Sequence, residues 1–104
     1  MPMMIDMDTV SLDARDFFDP QGSVVDCAAR IAHEVVRQLS TGAAVCLSVH
    51  GLRGVSSSFF NVILSAVFEN FDRSVRDRFR VDTETDTQRI VYERSLDAFL
   101  RRTA

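Results

Sequence analysis

The hydrophobic and polar positions of the chain follow a strand-like period in three places. Residues 4–12 alternate loosely between apolar and polar, which is typical of a strand with one buried face. Residues 43–49 form a short, almost continuous apolar run, which predicts a central strand covered on both faces. Residues 78–83 alternate again and predict a third strand.

Three longer stretches repeat their apolar residues at helical spacing. The first follows Ser23, a candidate N-cap, and ends before Gly42, where a C-terminal cap belongs. The second follows the serines at 56–58 and is apolar over most of its surface, so we expect it to be largely wrapped by protein. The third begins at Thr87 and ends with two arginines.

These elements follow one another in the order βαβαβα. Strands that alternate with helices predict an α/β fold with a small mixed, mostly parallel sheet and helices packed on it. A turn cluster at 19–22 interrupts the first connection, where we expect a short extended piece around Phe17 and Phe18. A length of 104 residues suits a single domain, residues 1–104.

Composition narrows the classes of protein that the chain fits. Its 12 basic and 15 acidic residues give a net charge of −3, which argues against a nucleic-acid surface. The sequence contains no lysine, which excludes a Walker-type phosphate lysine and a Schiff-base lysine. No apolar run approaches the roughly 18 residues of a membrane helix, and the first residues lack a secretory pattern. We therefore expect a soluble, cytoplasmic protein.

The metal-ligating residue types are few and scattered. Cys27 and Cys46 stand in apolar contexts without CxxC spacing, so we expect free buried thiols. His33 falls on the polar side of the first helix, and His50 follows the central strand. These four residues lie on different elements without ligand spacing, so we expect no metal and no cofactor.

The serines stand at the junction between the central strand and the second helix. This is the carboxyl end of a strand and the amino end of a helix, where open α/β sheets generally bind ligands. One interpretation is capping, in which a serine oxygen accepts from a free backbone N–H group. The other is modification or docking, because a phosphate on a serine there meets free N–H groups and the positive helix end. The residues alone leave both open.

The run 45-VCLSVHGLRGVSSSFFNVIL-64 resembles the core motif of STAS domains, the modules of sulfate transporters and anti-sigma-factor antagonists. It is most similar to a STAS-like family of uncharacterised proteins in which Ser-Phe replaces the usual Ser-Gly. The family pattern is a hydrophobic strand ending in aspartate, a glycine loop and a serine pair that opens a helix. The resemblance implies a STAS-like fold over most of the chain.

The resemblance also implies a site. Ser57 falls where antagonist domains carry the serine that a partner kinase phosphorylates, and Ser58 beside it opens the helix. Two positions depart from the pattern, since Ser48 replaces the strand-end aspartate and Ser56 replaces the aspartate before the modified serine. We expect Ser57 to point outward while Ser58 caps the helix.

Other polar residues belong to the same candidate surface or to a weaker one. His50 and Arg53 lie in the loop before the serines and are grouped with them as partner-binding residues. A serine-histidine hydrolase is the weaker interpretation, because the nucleophile elbow needs glycine on both sides of its serine. The arginines of residues 73–80 are a weak second candidate site for an acidic partner or a phosphate. Acidic residues are interleaved with them, which favours a solvated connection.

Two function classes remain open on the sequence alone. The first is a non-catalytic regulatory module that docks a cytoplasmic protein partner, by resemblance a histidine-kinase-like ATPase of the anti-sigma type. The second is a small-anion or nucleotide binding protein, or a weak hydrolase, that uses Ser57 and His50. We expect no enzyme activity, no nucleic-acid partner and no membrane partner. A homodimer stays open.

Overall fold

The computed structural model describes residues 8–53 and 55–102. The three strands are β1 (Thr9–Asp13), β2 (Ala44–Ser48) and β3 (Phe79–Asp82). The three α-helices are α1 (Val24–Ser40), α2 (Ser57–Asn70) and α3 (Asp86–Arg102). Two short 3₁₀ helices, Ala14–Phe17 and Arg73–Asp77, follow β1 and α2. The predicted βαβαβα order is confirmed.

The described strands form a three-stranded sheet in the order β1-β2-β3, and all three strands are parallel. Leu12, Leu47 and Val81 occupy one row across it. The predicted α/β class and the central place of the second strand are confirmed. Of the first predicted strand, residues 4–7 lie outside the described residues, and the described part runs one residue further than predicted.

The helices cover one face of the sheet. Val45 and Leu47 are fully buried on that face, whereas Cys46 between them is half-buried. Ser11 and Arg80, which flank Cys46 in its row, are exposed. The prediction of a strand covered on both faces was therefore wrong. Small apolar residues such as alanine and cysteine made the run look continuous, but their neighbours on the other strands are polar and give a second layer nothing to bury.

The two cysteines differ in burial. Both are free thiols, and Cys27 lies in the core on α1. Cys46 lies on the open face of the sheet and is half-buried. The expectation of a buried thiol therefore holds for Cys27 alone.

Helix α1 begins and ends where its sequence predicts. The Ser23 hydroxyl accepts from the Asp26 N–H group at 3.0 Å, and the Asp26 carboxylate accepts from the Ser23 N–H group. This capping box satisfies two N–H groups that the first turn leaves free. Gly42 follows the helix with φ of +91°, the left-handed conformation that glycine adopts without steric cost.

The connection after β1 turns sooner than expected. The Asp13 carboxylate accepts from the backbone N–H group of Arg15 at 3.0 Å and starts the 3₁₀ helix Ala14–Phe17. Phe17 ends this helix, and only Phe18 is extended. The expected extended piece around both phenylalanines is therefore wrong, because an aspartate followed by a free N–H group two residues later favours a turn.

Helix α2 packs between α1 and α3. Five of its residues are fully buried: Phe59, Phe60, Ile63, Leu64 and Val67. The ring of Phe60 meets that of Tyr92 on α3 edge-on at 5.3 Å, and Phe68 stacks on Phe99 at 6.2 Å. These ring pairs join α3 to α2.

One arginine of the 73–80 segment has a structural role. The guanidinium of Arg78 donates to the carbonyl oxygens of Leu39 and Ala43, at 3.2 and 2.9 Å. It thereby satisfies backbone carbonyls at and after the end of α1. The interpretation of this segment as a solvated connection was wrong for Arg78, whereas Arg73, Arg76 and Arg80 are exposed.

Within the described ranges, no helix combines the length and the apolar character needed to cross a bilayer.

Candidate functional site

The serine run lies at the carboxyl-terminal edge of the sheet, in the loop that joins β2 to α2. Ser56 is the N-cap residue, with extended backbone angles, and its carbonyl accepts from the Phe60 N–H group at 3.4 Å. Ser57 and Ser58 are the first two residues of α2. All three serines are exposed, and the next residue, Phe59, is fully buried. The run therefore marks the boundary between the core and the surface.

No serine hydroxyl of the run makes a hydrogen bond within the described part of the chain, and Ser56 makes no side-chain cap. The expected cap by Ser58 is wrong, because the helix begins before this residue and places it in the first turn. The first turn of α2 also contains no acidic residue. Its free N–H groups and the positive helix end consequently face solvent without a carboxylate partner.

The loop between β2 and the serines is held by the start of α3. The buried Gln88 side chain donates to the carbonyl oxygens of Val49 and Leu52, at 3.2 and 3.1 Å. The Glu84 carboxylate accepts from the Gly51 N–H group at 2.7 Å. Two side chains from the other end of the sequence therefore fix the backbone of the serine loop.

Sequence reasoning missed Gln88 and Glu84, although a signal for Gln88 was present. Thr85 and Gln88 form a capping box, in which the Thr85 hydroxyl accepts from the Gln88 N–H group at 3.1 Å. The side-chain oxygen Oε1 of Gln88 accepts in turn from the backbone N–H groups of Glu84 and Thr85. The spacing of a threonine and a glutamine three residues later marks this box in the sequence. Nothing local shows that the same glutamine reaches the β2 loop.

Polar residues end all three strands in one row. Asp13, Ser48 and Asp82 are register partners on the open face of the sheet. The Ser48 hydroxyl accepts from the His50 N–H group at 3.3 Å, a turn contact that an aspartate also makes. Ser48 therefore makes this turn contact at the position where the motif has aspartate. The carboxylates of the row belong to Asp13 and Asp82 on the two neighbouring strands.

His50 points to one of those carboxylates. Its Nε2 atom lies 3.3 Å from Asp82 Oδ1, but the pair lacks hydrogen-bond alignment, and Nε2 has no hydrogen-bond partner among the described residues. The contact is electrostatic when the imidazole is protonated. No hydrogen bond joins His50 to a serine of the run in the described ranges. In the described ranges, the His50 side chain therefore contacts Asp82 and is not hydrogen-bonded to the serine run.

Gly51 needs to be glycine. Its φ is +81°, and a Cβ atom there would lie 3.0 Å from Cδ of Arg15. Arg15 is held in place by Asp13, whose carboxylate pairs with its guanidinium at 2.8 Å. Hydrogen bonds from Arg15 lower the pKa of Asp13. The ion pair of Asp13 and Arg15 at the end of β1 therefore lies against the loop after β2, where Arg15 contacts Gly51.

Arg53 and His50 have different neighbours. Arg53 is exposed and lines a depression of about 330 Å³ with Val55 and with Thr85, Thr87 and Gln88 at the start of α3. No serine of the run lines this depression. Its guanidinium has no acidic partner in the part of the chain that the structure describes.

The chemistry available to this site is that of recognition. The exposed hydroxyls donate and accept hydrogen bonds, and the helix end favours an anion or a carbonyl group of a partner. Among the described residues, no group of three histidine, cysteine, aspartate or glutamate side chains is arranged to hold a metal ion.

Comparison with known proteins gives one family. The model of a STAS-like domain of unknown function (DUF4325) matches residues 28–88, more than half of the chain. The match runs from the first buried turn of α1 to Gln88 and includes β2, the serine run and β3. No curated protein and no solved structure matches the chain.

Proposed function

The chain belongs to the family of STAS-like domains, and from this premise we propose that it is a non-catalytic regulatory module that docks a protein partner through Ser57. The partner we propose is a histidine-kinase-like ATPase of the anti-sigma type, as the resemblance to antagonist domains implies. The proposed docking surface also includes Ser56 and Ser58, together with His50 and Arg53 of the preceding loop. The protein acts in the cytoplasm in this proposal.

The free serine hydroxyls carry the proposal. A serine whose task is to cap a helix hydrogen-bonds the backbone of the first turn, and none of these three does so. Exposed hydroxyls at a positive helix end are ready to bind an acceptor group or to carry a phosphate. The hydrogen bonds from Gln88 to the loop support docking, because a loop that is already fixed loses little conformational entropy when it binds a partner.

The position of His50 supports a non-catalytic role. A serine nucleophile needs a base within hydrogen-bond reach, and His50 is instead 3.3 Å from Asp82. Purified protein should accordingly show no turnover of esters, phosphoesters or nucleotides. Hydrolysis that Ser57→Ala abolishes would contradict this part of the proposal.

A charge substitution at Ser57 tests the docking surface. Immobilised wild-type protein should capture an ATPase of this class from the native lysate, and purified partner should bind it in calorimetric titrations. Ser57→Asp should keep the fold, because the helix end favours negative charge, but should weaken the complex by repulsion and desolvation. Ser11→Asp makes the same change at an exposed serine on β1 and should bind as wild type does.

Two outcomes would remove the proposal. Equal binding by wild type and Ser57→Asp would take Ser57 out of the interface. Loss of binding by both aspartate variants would show that added negative charge anywhere disrupts the complex. Incubation of the complex with ATP, followed by mass mapping of phosphate, separates a docking site from a modified one.

A second candidate function is the binding of a small anion. The observation that favours it is the first turn of α2, which is exposed and carries no acidic residue. Titration with inorganic phosphate, followed by the amide resonances of residues 56–60, tests it. Saturable shifts confined to these residues support an anion site, and their absence leaves protein docking as the remaining proposal.

A further inference from the structure

The outer edge of β3 is open. Among residues 8–53 and 55–102, β3 pairs with β2 alone. The N–H groups of Val45 on β2 and of Val49 just after it donate to the carbonyl oxygens of Arg78 and Asp82. Successive residues of a strand direct their amide groups to opposite sides, so Phe79 and Val81 present theirs outward.

A groove runs along this open edge. It has a volume of about 570 Å³ and is lined by side chains from both faces of β3, together with residues of α2, α3 and the 3₁₀ helix Arg73–Asp77. Its apolar and aromatic lining includes Phe79 and Val81 of β3 and Tyr92 and Leu96 of α3. We call this the edge groove. Unpaired strand amides beside an apolar groove are the two features that strand-adding peptides use.

The edge groove is positively charged. Arg76 and Arg80 line it and are exposed. Neither guanidinium has an ion pair or a hydrogen bond in the described part of the chain. Asp82 is the one acidic residue among the lining residues, so the lining carries a net positive charge. Two arginines without partners beside a strand edge complement a segment that carries carboxylates.

We propose that the edge groove binds an extended, acidic segment of a partner protein, which adds to β3 as a fourth strand. The backbone of the segment pairs with the amide groups of Phe79 and Val81. Its apolar side chains enter the groove beneath Tyr92 and Leu96, and its carboxylates, on the alternate side, meet Arg80. Arg76 receives a carboxylate at the end of the segment.

The β3 strand of a second copy fits this groove less well. Residues 78–82 carry two arginines and one aspartate, so the same strand from another copy adds positive charge to a groove that already has two unpaired arginines. The edge groove also shares no lining residue with the serine run. Asp82 of its lining contacts His50, so the edge groove adjoins the proposed docking surface. Arg80→Glu and Ser57→Asp test the two surfaces independently.

The probe is a labelled seven-residue peptide that alternates valine and glutamate. It should bind the full-length protein, as measured by fluorescence anisotropy, and salt should weaken the binding. Peptides with lysine or glutamine in place of glutamate control for charge. A glutamate peptide with N-methyl groups on alternate residues controls for backbone pairing, because it keeps the charge and loses the strand donors. All three should bind at least about tenfold more weakly.

Protein variants complete the test. Arg80→Glu should weaken binding about tenfold, whereas Arg94→Glu, an exposed arginine outside the groove, should not change it. Val81→Pro removes an N–H group that points away from β2, so it should keep the sheet and abolish binding. Thermal unfolding checks that each variant folds. Ser57→Asp should bind the peptide as wild type does.

The thiols give a second readout. Cys46 lines the edge groove and Cys27 is fully buried, so bound peptide should slow alkylation of Cys46 and leave Cys27 unchanged. Equal binding of the glutamate and lysine peptides, or of the N-methylated peptide, overturns the proposal, as does no binding at all. If the wild-type protein is a dimer and Val81→Pro dissociates it, a second copy occupies the edge of β3. This result would also overturn the proposal.

Discussion

The side-chain amide of Gln88 donates to the carbonyl oxygen of Val49 at 3.2 Å and ties the start of α3 to the end of β2. Gln88 is 6% exposed, and all its side-chain polar groups are used. Its removal leaves buried backbone groups without partners.

We therefore expect Gln88→Ala to lower the free energy of unfolding by about 2 kcal/mol. Denaturant titration measures this loss, and hydrogen exchange should speed up at residues 50–52. Gln21→Ala, at an exposed glutamine, is the control and should change stability by less than about 0.5 kcal/mol. A stable Gln88→Ala variant with unchanged exchange would show that the loop is held by other contacts.

The serine run should tolerate loss of its hydroxyls. The Ser58 hydroxyl makes no hydrogen bond to a described residue and lies in the first turn of α2, where alanine has the better helix propensity. We expect Ser58→Ala to change the free energy of unfolding by less than about 0.5 kcal/mol. Ser56→Asp places a carboxylate at the N-cap and should stabilise the fold by about 0.5 kcal/mol. A loss near 1 kcal/mol in Ser58→Ala would restore the capping interpretation.

Substitution of Gly51 tests the contact between Arg15, which follows β1, and the loop after β2. Gly51→Ala should lower the free energy of unfolding by about 1 to 2 kcal/mol, from the positive φ and from the contact with Arg15. In an Arg15→Ala background only the backbone strain remains, so the loss should shrink. Gly22→Ala adds a Cβ atom with no contact closer than 3.5 Å and serves as the control. An equal loss in both backgrounds would mean that Arg15 moves aside freely.

Tyr92 makes stability depend on pH in the alkaline range. Burial beside the edge groove raises its pKa from about 10 to about 12, and the nearby charge of Arg76 opposes this shift. Between these two values the unfolded chain releases the phenolic proton and the folded chain keeps it, so stability falls as the pH rises.

The chain contains one tyrosine, so the ultraviolet absorbance of tyrosinate reports on this group alone. Titration of the native protein should place its midpoint well above that of the denatured protein. Tyr92→Phe should reduce the loss of stability between these pH values, while the effect of acid should be unchanged. Burial also raises the pKa of the Cys27 thiol, so part of the alkaline loss should remain in this variant. A native midpoint near 10 would show that solvent reaches the phenol.

The sequence predicted what local patterns determine. The period of apolar residues located the three α-helices and the central strand, and the Ser23 and Gly42 positions located both ends of α1. It did not predict that β2 is open on one face, because burial depends on the side chains of neighbouring strands. Ser11 and Arg80 acquire their place beside Cys46 only through the register.

In the candidate site, too, local patterns predicted some features, whereas others depend on how the elements pack. The place of the serines at a strand end and a helix start follows from the order of elements, and the structure agrees. The contacts of Gln88 with Val49, of His50 with Asp82 and of Arg78 with Leu39 join residues 32 or more positions apart in the chain, so no local pattern indicates them. Contacts of this kind depend on how the elements pack, which a single sequence does not encode in its spacing.

The strand order β1-β2-β3 repeats the order of the chain, and this has a consequence for synthesis on the ribosome. Each new strand emerges after its neighbour and can dock at the same growing edge, so the sheet assembles in one direction. Until β3 emerges, the exposed edge is that of β2, the most apolar strand, and a nascent chain stalled there offers an aggregation-prone template. The arrival of Arg80 and Asp82 replaces that edge with a charged one.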